Sequence, residues 1–237
     1  MKRDQDFAPE CMLYFKEQSD TRQASVVVAQ APRVLMVGPH RTRTLGGIST
    51  MIDGLLRAAP STGCDMRHIA SQCDEAQGFG KLTLAVRALW QYVWTVLWWR
   101  PTVTMVHVGS NASLYRKAVF IMVARWLRQR VITHFHAGDF DLYYDRQSPL
   151  GQRLIRAGLR RSHKLIAVSQ ASAQRLRELL PTADIVTIPN GIKTEDFAPL
   201  PRTRNAFVRL LFVGGMGKGK GERDLIRALP LIAARVP

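Results

Sequence analysis

The residues with most chemistry to offer lie in Thr133-His134-Phe135-His136-Ala137-Gly138-Asp139-Phe140-Asp141, directly after a short apolar run. Strand alternation would put His134 and His136 on one face. An imidazole just past a strand end can donate, accept or carry a proton near neutral pH. Asp139 and Asp141 add oxygen donors, so a metal is conceivable. No further His/Asp pair follows at ligand spacing, however, and no metal is expected.

Two glycine-rich loops are suited to anions instead. Gly46-Gly47-Ile48-Ser49 opens a helical pattern just after a strand, where backbone N–H groups and the helix dipole favour negative charge. It lacks the G-x-G-x-x-G dinucleotide fingerprint. Gly214-Gly215-Met216-Gly217-Lys218-Gly219-Lys220-Gly221 has P-loop spacing, but Gly221 replaces the Ser or Thr that would hold Mg²⁺. Its N–H groups, with Lys218 or Lys220, still suit a diphosphate.

The elements that must position these loops alternate along the chain. Short apolar runs at 33–38, 103–108, 131–135, 164–168 and 185–188 read as buried strands. Helical spacing appears at 48–59, 80–99, 114–129, 149–161 and 171–180. That alternation implies an α/β fold with a Rossmann-like parallel sheet and helices on both faces. Pro189-Asn190-Gly191 breaks it, and Pro199-Leu200-Pro201 follows as a stiff linker. A further strand at 209–213 and a helix from about Glu222 then read as the first β-α unit of an incomplete second Rossmann-like domain. The expected organisation is a leader over 1–30, with a short strand around Val26–Val28, a first domain over 31–200, and the start of a second over 201–237.

One helix has a pattern of its own. Leu82, Val86, Leu89, Val93 and Leu97 form one apolar stripe, and Trp90, Trp94 and Trp98 a second, rotated by about 100°. Either both stripes are buried between sheet and helices, or the Trp stripe with its flanking Arg87 and Arg100 meets a bilayer interface.

Composition bounds the rest. The 237 residues carry 34 Lys+Arg against 18 Asp+Glu, a net charge of +16, with 46% apolar residues. This is a globular polycation, suited to phosphate-bearing substrates or an anionic membrane surface. No RNA-binding aromatic motif or helix-turn-helix signature accompanies the charge, so nucleic acid is not an expected partner. Cys11, Cys64 and Cys73 rule out a disulfide scaffold and fit no zinc knuckle. No run reaches the roughly 18 uncharged apolar residues of a spanning helix. The N-terminus has no apolar signal-peptide core. A cytoplasmic protein, peripheral on the inner face of the membrane, is expected.

In this order the motifs resemble a family. Gly46-Gly47-Ile48, Val131 to Gly138, His163-Lys164-Leu165-Ile166-Ala167-Val168-Ser169, Val186 to Ile192 and Leu211-Phe212-Val213-Gly214…Lys220-Gly221…Asp224-Leu225 are similar to retaining glycosyltransferases of the GT-B fold. More narrowly, they resemble the large nucleotide-sugar family numbered four. The resemblance implies two Rossmann-like domains facing across a cleft, the first mostly for acceptor and the second for donor. It implies His136 as the catalytic cleft histidine that contacts the transferring sugar. Gly46 and Gly47 would lie near the donor diphosphate and acceptor, and Lys220, with Lys218, would neutralise the leaving diphosphate. Asp139 and Ser169 would border the cleft, and Asn190 and Gly191 would sit at the crossing between domains. A nucleotide-sugar is then the co-substrate, with no resident cofactor, and a glycan or lipid-linked acceptor in cell-surface polysaccharide synthesis receives the sugar. Two departures stand out. Gly215 occupies the place of the family's usual Arg, and the family's paired donor-site glutamates lie beyond residue 237. A poor or inactive transferase is the expectation for this chain alone. The alternative reading is a non-catalytic nucleotide- or phosphate-binding module built on the 214–221 loop.

Overall fold

The computed structural model describes residues 31–76, 78–109, 113–136, 140–191, 210–214 and 221–235. The expected Val26–Val28 strand lies outside them. The chain divides into two compact units, 1–192 and 193–237.

Among the described residues, the first unit is built on six strands, β1 (Arg33–Pro39), β2 (Asp65–Gln72), β3 (Val103–Val108), β4 (Val131–Phe135), β5 (Lys164–Ala167) and β6 (Ile185–Thr187). They form one sheet in the order β2-β1-β3-β4-β5-β6, and every pairing is parallel. Parallel neighbours need long crossovers, and helices supply them. These are α1 (Gly47–Ala58), α2 (Phe79–Trp99), α3 (Ser113–Trp126), α4 (Phe140–Asp145), α5 (Pro149–Leu159) and α6 (Gln170–Leu179).

Side-chain alternation sorts the strands into two cores. Leu35 and Val37 of β1, Val106 and Val108 of β3, and Val131 and Phe135 of β4 join Tyr92 of α2, Phe120 and Ile121 of α3, Ile155 of α5 and Leu176 of α6. The opposite face of β1 presents Val34 and Met36 to Ile52 of α1 in a smaller core. In the larger core the Tyr92 and Phe120 rings meet edge to face, 5.8 Å apart. The Tyr92 hydroxyl is 3.0 Å from Thr104 Oγ1, so this buried polar tip is satisfied.

Three features depart from the sequence expectation. β2 was not anticipated. It is an edge strand whose Asp65 and Arg67 are exposed, and its polar residues hide the apolar run that marks a buried strand. Leu210–Val213 carries no strand assignment. Among the described residues of its unit there is no strand to pair with, and Leu211 is 86% exposed. Among its described residues, the unit's regular element is α7 (Glu222–Ala233), close to where helical spacing placed it.

The third departure is on α2. Its core-facing residues are Ala88, Tyr92, Val96 and Trp99. Trp90, Trp94 and Trp98 are 67%, 59% and 81% exposed, so the reading that buries both apolar stripes is overturned. The three indoles stack along the helix, with neighbouring centroids 6.1 and 6.4 Å apart. Leu82, Val86 and Leu97 are exposed as well.

Candidate functional site

Open parallel sheets place ligands beyond the carboxyl ends of their strands, where the strand order reverses direction. Here the chain runs outward from β1 to β2, then returns past β1 to β3. The reversal lies between the ends of β1 and β3, at Gly38-Pro39 and Val108-Gly109. Both ends carry glycine for a packing reason. A Cβ on Gly38 would come within 2.3 Å of Ile52 Cδ1, and one on Gly109 within 3.3 Å of Ile48 Cδ1. The missing side chains let α1 settle directly over the strand ends.

The loop from β1 into α1 brings Gly46 and Gly47 to this edge. Gly46 is the N-cap of α1, with φ 153 and ψ 163, a conformation a side chain would resist. No side chain caps α1, and its first turn holds no acid. The leading N–H groups are therefore not taken by a cap. The loop is tied to the β2–α2 segment at several points. Leu45 N donates to Asp74 Oδ2 at 2.9 Å, His40 N donates to Gln72 O at 2.9 Å, and Arg43 pairs with Glu75.

His136 follows β4, and its N–H donates to Val108 O at 2.8 Å, which continues the β3–β4 ladder by one residue. The expected pairing of His134 with His136 on one face is present, with ring centroids 4.1 Å apart. A third histidine joins them. β3–β4 register puts His107 beside His134, and His107 Nδ1 lies 3.3 Å from His136 Nε2. His107 was missed in the sequence because its position depends on which strands are neighbours. A polar residue inside the apolar run Val106-His107-Val108 was the available signal.

Desolvation holds all three imidazoles neutral. It pushes His107 well below the ordinary histidine range, with the neighbouring histidines and Lys117 adding to the effect. Burial lowers His134 to about 4, and burial with the adjacent His134 lowers His136 to about 3. Among the described residues, both ring nitrogens of His134, Nε2 of His107 and Nδ1 of His136 are buried without a hydrogen-bond partner. Ligand nitrogens from the three rings lie within 4.8 Å of one another. Neutral imidazoles so spaced have the donor atoms for a borderline cation such as Zn²⁺. They equally form a neutral cluster at the lip of the sheet, in which His107 and His136 share a hydrogen bond and His134 stacks beside them.

The other expected site residues are more dispersed. Ser169 is exposed and caps α6, its Oγ accepting from Ser172 N at 3.2 Å, which accounts for it structurally. Asn190 and Gly191 are exposed beyond β6, immediately before the boundary between the two units. Asp139, Lys218 and Lys220 lie outside the described residues. A cavity of about 580 Å³ is lined by Arg125, Arg160, Arg161 and His163 at the opposite edge of the sheet, where β4 and β5 begin. A smaller one of about 340 Å³ lies at the carboxyl end of β2, beside the Gly46 loop.

Among the described residues, no helix is long and apolar enough to cross a membrane. No curated protein matches this chain closely enough to stand as a relative. The family model for Glycosyltransferase Family 4 matches residues 45–196, a span that begins just before Gly46 and takes in the histidine cluster and Asn190-Gly191. That span is more than half of the 237 residues, and its sheet is of the Rossmann-like kind expected for a GT-B domain. The chain belongs to Glycosyltransferase Family 4.

Proposed function

We propose that the protein transfers a sugar, with retention, from a nucleotide-sugar to a glycan or lipid-linked acceptor in cell-surface polysaccharide synthesis. The family match across the Gly46 loop and the histidine cluster is the observation that supports this reading most strongly. Breaking the sugar–phosphate bond builds positive charge on the sugar and negative charge on the diphosphate. Fixed N–H dipoles and cations are suited to the second of these. The Gly46-Gly47 turn would offer its N–H groups, and Lys218 and Lys220 their ammonium groups, with no metal required. His136, neutral at physiological pH, would contact the transferring sugar through hydrogen bonds rather than as a cation. Asp139 and Ser169 would border the cleft, and Asn190-Gly191 would serve as the crossing to the donor side.

Exposed Trp90, Trp94 and Trp98 on a chain of net charge +16 also favour a peripheral contact with an anionic membrane, on its inner face. That is where a lipid-linked acceptor would be met.

Calorimetric titration tests the donor reading. UDP or GDP is expected to bind in the presence of EDTA, and Lys220→Ala to weaken it about tenfold. Tight binding of ATP that requires Mg²⁺, with no UDP or GDP binding, would overturn the reading in favour of a non-catalytic phosphate-loop module.

A further inference from the structure

The cavity at the end of β2 has an unusual charge balance. Lys81 of α2 and Arg116 of α3 line it together with Ser71, Gln72 and Asp74. Behind Ser71 lies Lys117, only 1% exposed, whose ammonium donates to Ser71 Oγ. Ser71 in turn donates to Gly38 O at 3.1 Å. Among the described residues, no carboxylate lies within ion-pairing distance of Lys117, Arg116 or Lys81. Arg116 Nη2 donates to Gln72 Oε1 at 2.8 Å, while its Nε is buried without a partner. Among the described lining residues the one acid is Asp74, which accepts a hydrogen bond from Leu45 N–H.

A buried ammonium with no counter-charge is costly, and it is held here in a fixed place by a hydroxyl at the cavity wall. An apolar occupant would worsen that cost, and a cation would be repelled. An anion would supply the missing partner. The volume of about 340 Å³ accommodates a phosphate with the small polyol or sugar it esterifies.

We propose that this cavity binds the phosphate group of the acceptor, with Arg116, Lys81 and the Lys117–Ser71 pair as its partners. The inference rests on the transferase reading only in calling the ligand an acceptor, because the cavity adjoins the Gly46 loop through Asp74. Burial lowers the Lys117 ammonium to about 7, so an arriving phosphate would draw a proton onto it.

The test follows the Lys117 side chain by NMR in the 237-residue protein labelled at lysine, with glycerol 1-phosphate as ligand. The free protein is expected to show one lysine titrating near neutral pH, and saturating ligand to move that titration upward. Lys117→Met and Arg116→Gln are each expected to weaken glycerol 1-phosphate about tenfold or more. The methionine fills the same buried space, and its thermal unfolding verifies the fold. A second arm compares vesicles containing phosphatidic acid with vesicles of equal charge containing phosphatidylserine. A preference for phosphatidic acid that Lys117→Met abolishes assigns the phosphate to a lipid. Its absence, with glycerol 1-phosphate still bound, assigns it to a soluble ester. Equal affinity for glycerol 1-phosphate in the parent and both cavity variants, or a Lys117 titration that phosphate leaves unmoved, would overturn the proposal. UDP binding in EDTA, measured on the same variants, reports separately on the donor reading.

Discussion

Gly47 has no conformational need to be glycine. It is the first residue of α1, its φ is not in the left-handed region, and a Cβ there would meet nothing within 4 Å. Gly46 differs, because its φ of 153 resists any side chain. The two substitutions should therefore separate. Gly47→Ala is expected to leave stability unchanged or raise it by up to about 1 kcal/mol, since alanine favours the helix. Gly46→Ala is expected to lower it by about 1–2 kcal/mol. If the open space over Gly47 is where a phosphate approaches, Gly47→Ala loses UDP affinity without losing stability, which calorimetry and thermal unfolding together reveal. The histidine cluster sets the pH response. The unfolded chain takes up protons as pH falls through 6.5, whereas folded His134 and His136 resist protonation until about 4 and about 3. Their contribution is therefore present above pH 6.5 and is lost as pH falls toward 4. The loss should be on the order of 2 kcal/mol or more, and His134→Gln should flatten the slope in urea unfolding across that range.

At the scale of elements, α2 makes the clearest demand. One face buries Ala88, Tyr92, Val96 and Trp99, and another leaves three stacked indoles in solvent. If that face enters a bilayer interface, flotation with anionic vesicles at low salt should carry the protein upward. Trp90→Ser/Trp94→Ser/Trp98→Ser should abolish flotation while leaving the unfolding midpoint near its parent value. Unchanged flotation by the triple variant would remove the Trp face from any membrane contact. The exposure of this face was not legible in the sequence. Helical spacing shows which residues share a stripe, but the sheet selects which stripe it covers, and here it took Tyr92 and Val96. Buried strands such as β3 and β4 were legible because each is a short, mostly apolar and β-branched run. Edge strand β2 was hidden by Asp65, Arg67 and Ser71. The run 210–213 looked like a strand from its composition, yet a strand exists only with a hydrogen-bonding neighbour. His136 was legible from its place after β4, whereas His107 needed the β3–β4 register.

For the whole molecule, the six-stranded sheet and both its cores fall within residues 31–192. A fragment ending at Ile192 is expected to unfold cooperatively, with a midpoint within a few degrees of the longer chain. A broad, non-cooperative transition would show that the first unit depends on the second. Within the first unit, the histidine cluster and the β2 cavity meet through one residue of β1. Gly38 accepts the Ser71 hydroxyl with its carbonyl, and its bare α-carbon leaves room for Ile52 Cδ1 and the His107 ring. A methyl added there collides with Ile52 Cδ1 of α1 while touching the His107 ring at ordinary contact distance, so the strand must shift and carry with it the His107 neighbourhood and the oxygen that orients Ser71 and hence Lys117. Gly38→Ala should cost about 1–3 kcal/mol in urea unfolding from overpacking. It should also change His134 and Lys117 titrations together, where substitutions on either side alone change one. A single backbone position thus acts as a mechanical link between two neighbourhoods on opposite faces of the sheet, and pressure applied to one of them is felt in the other.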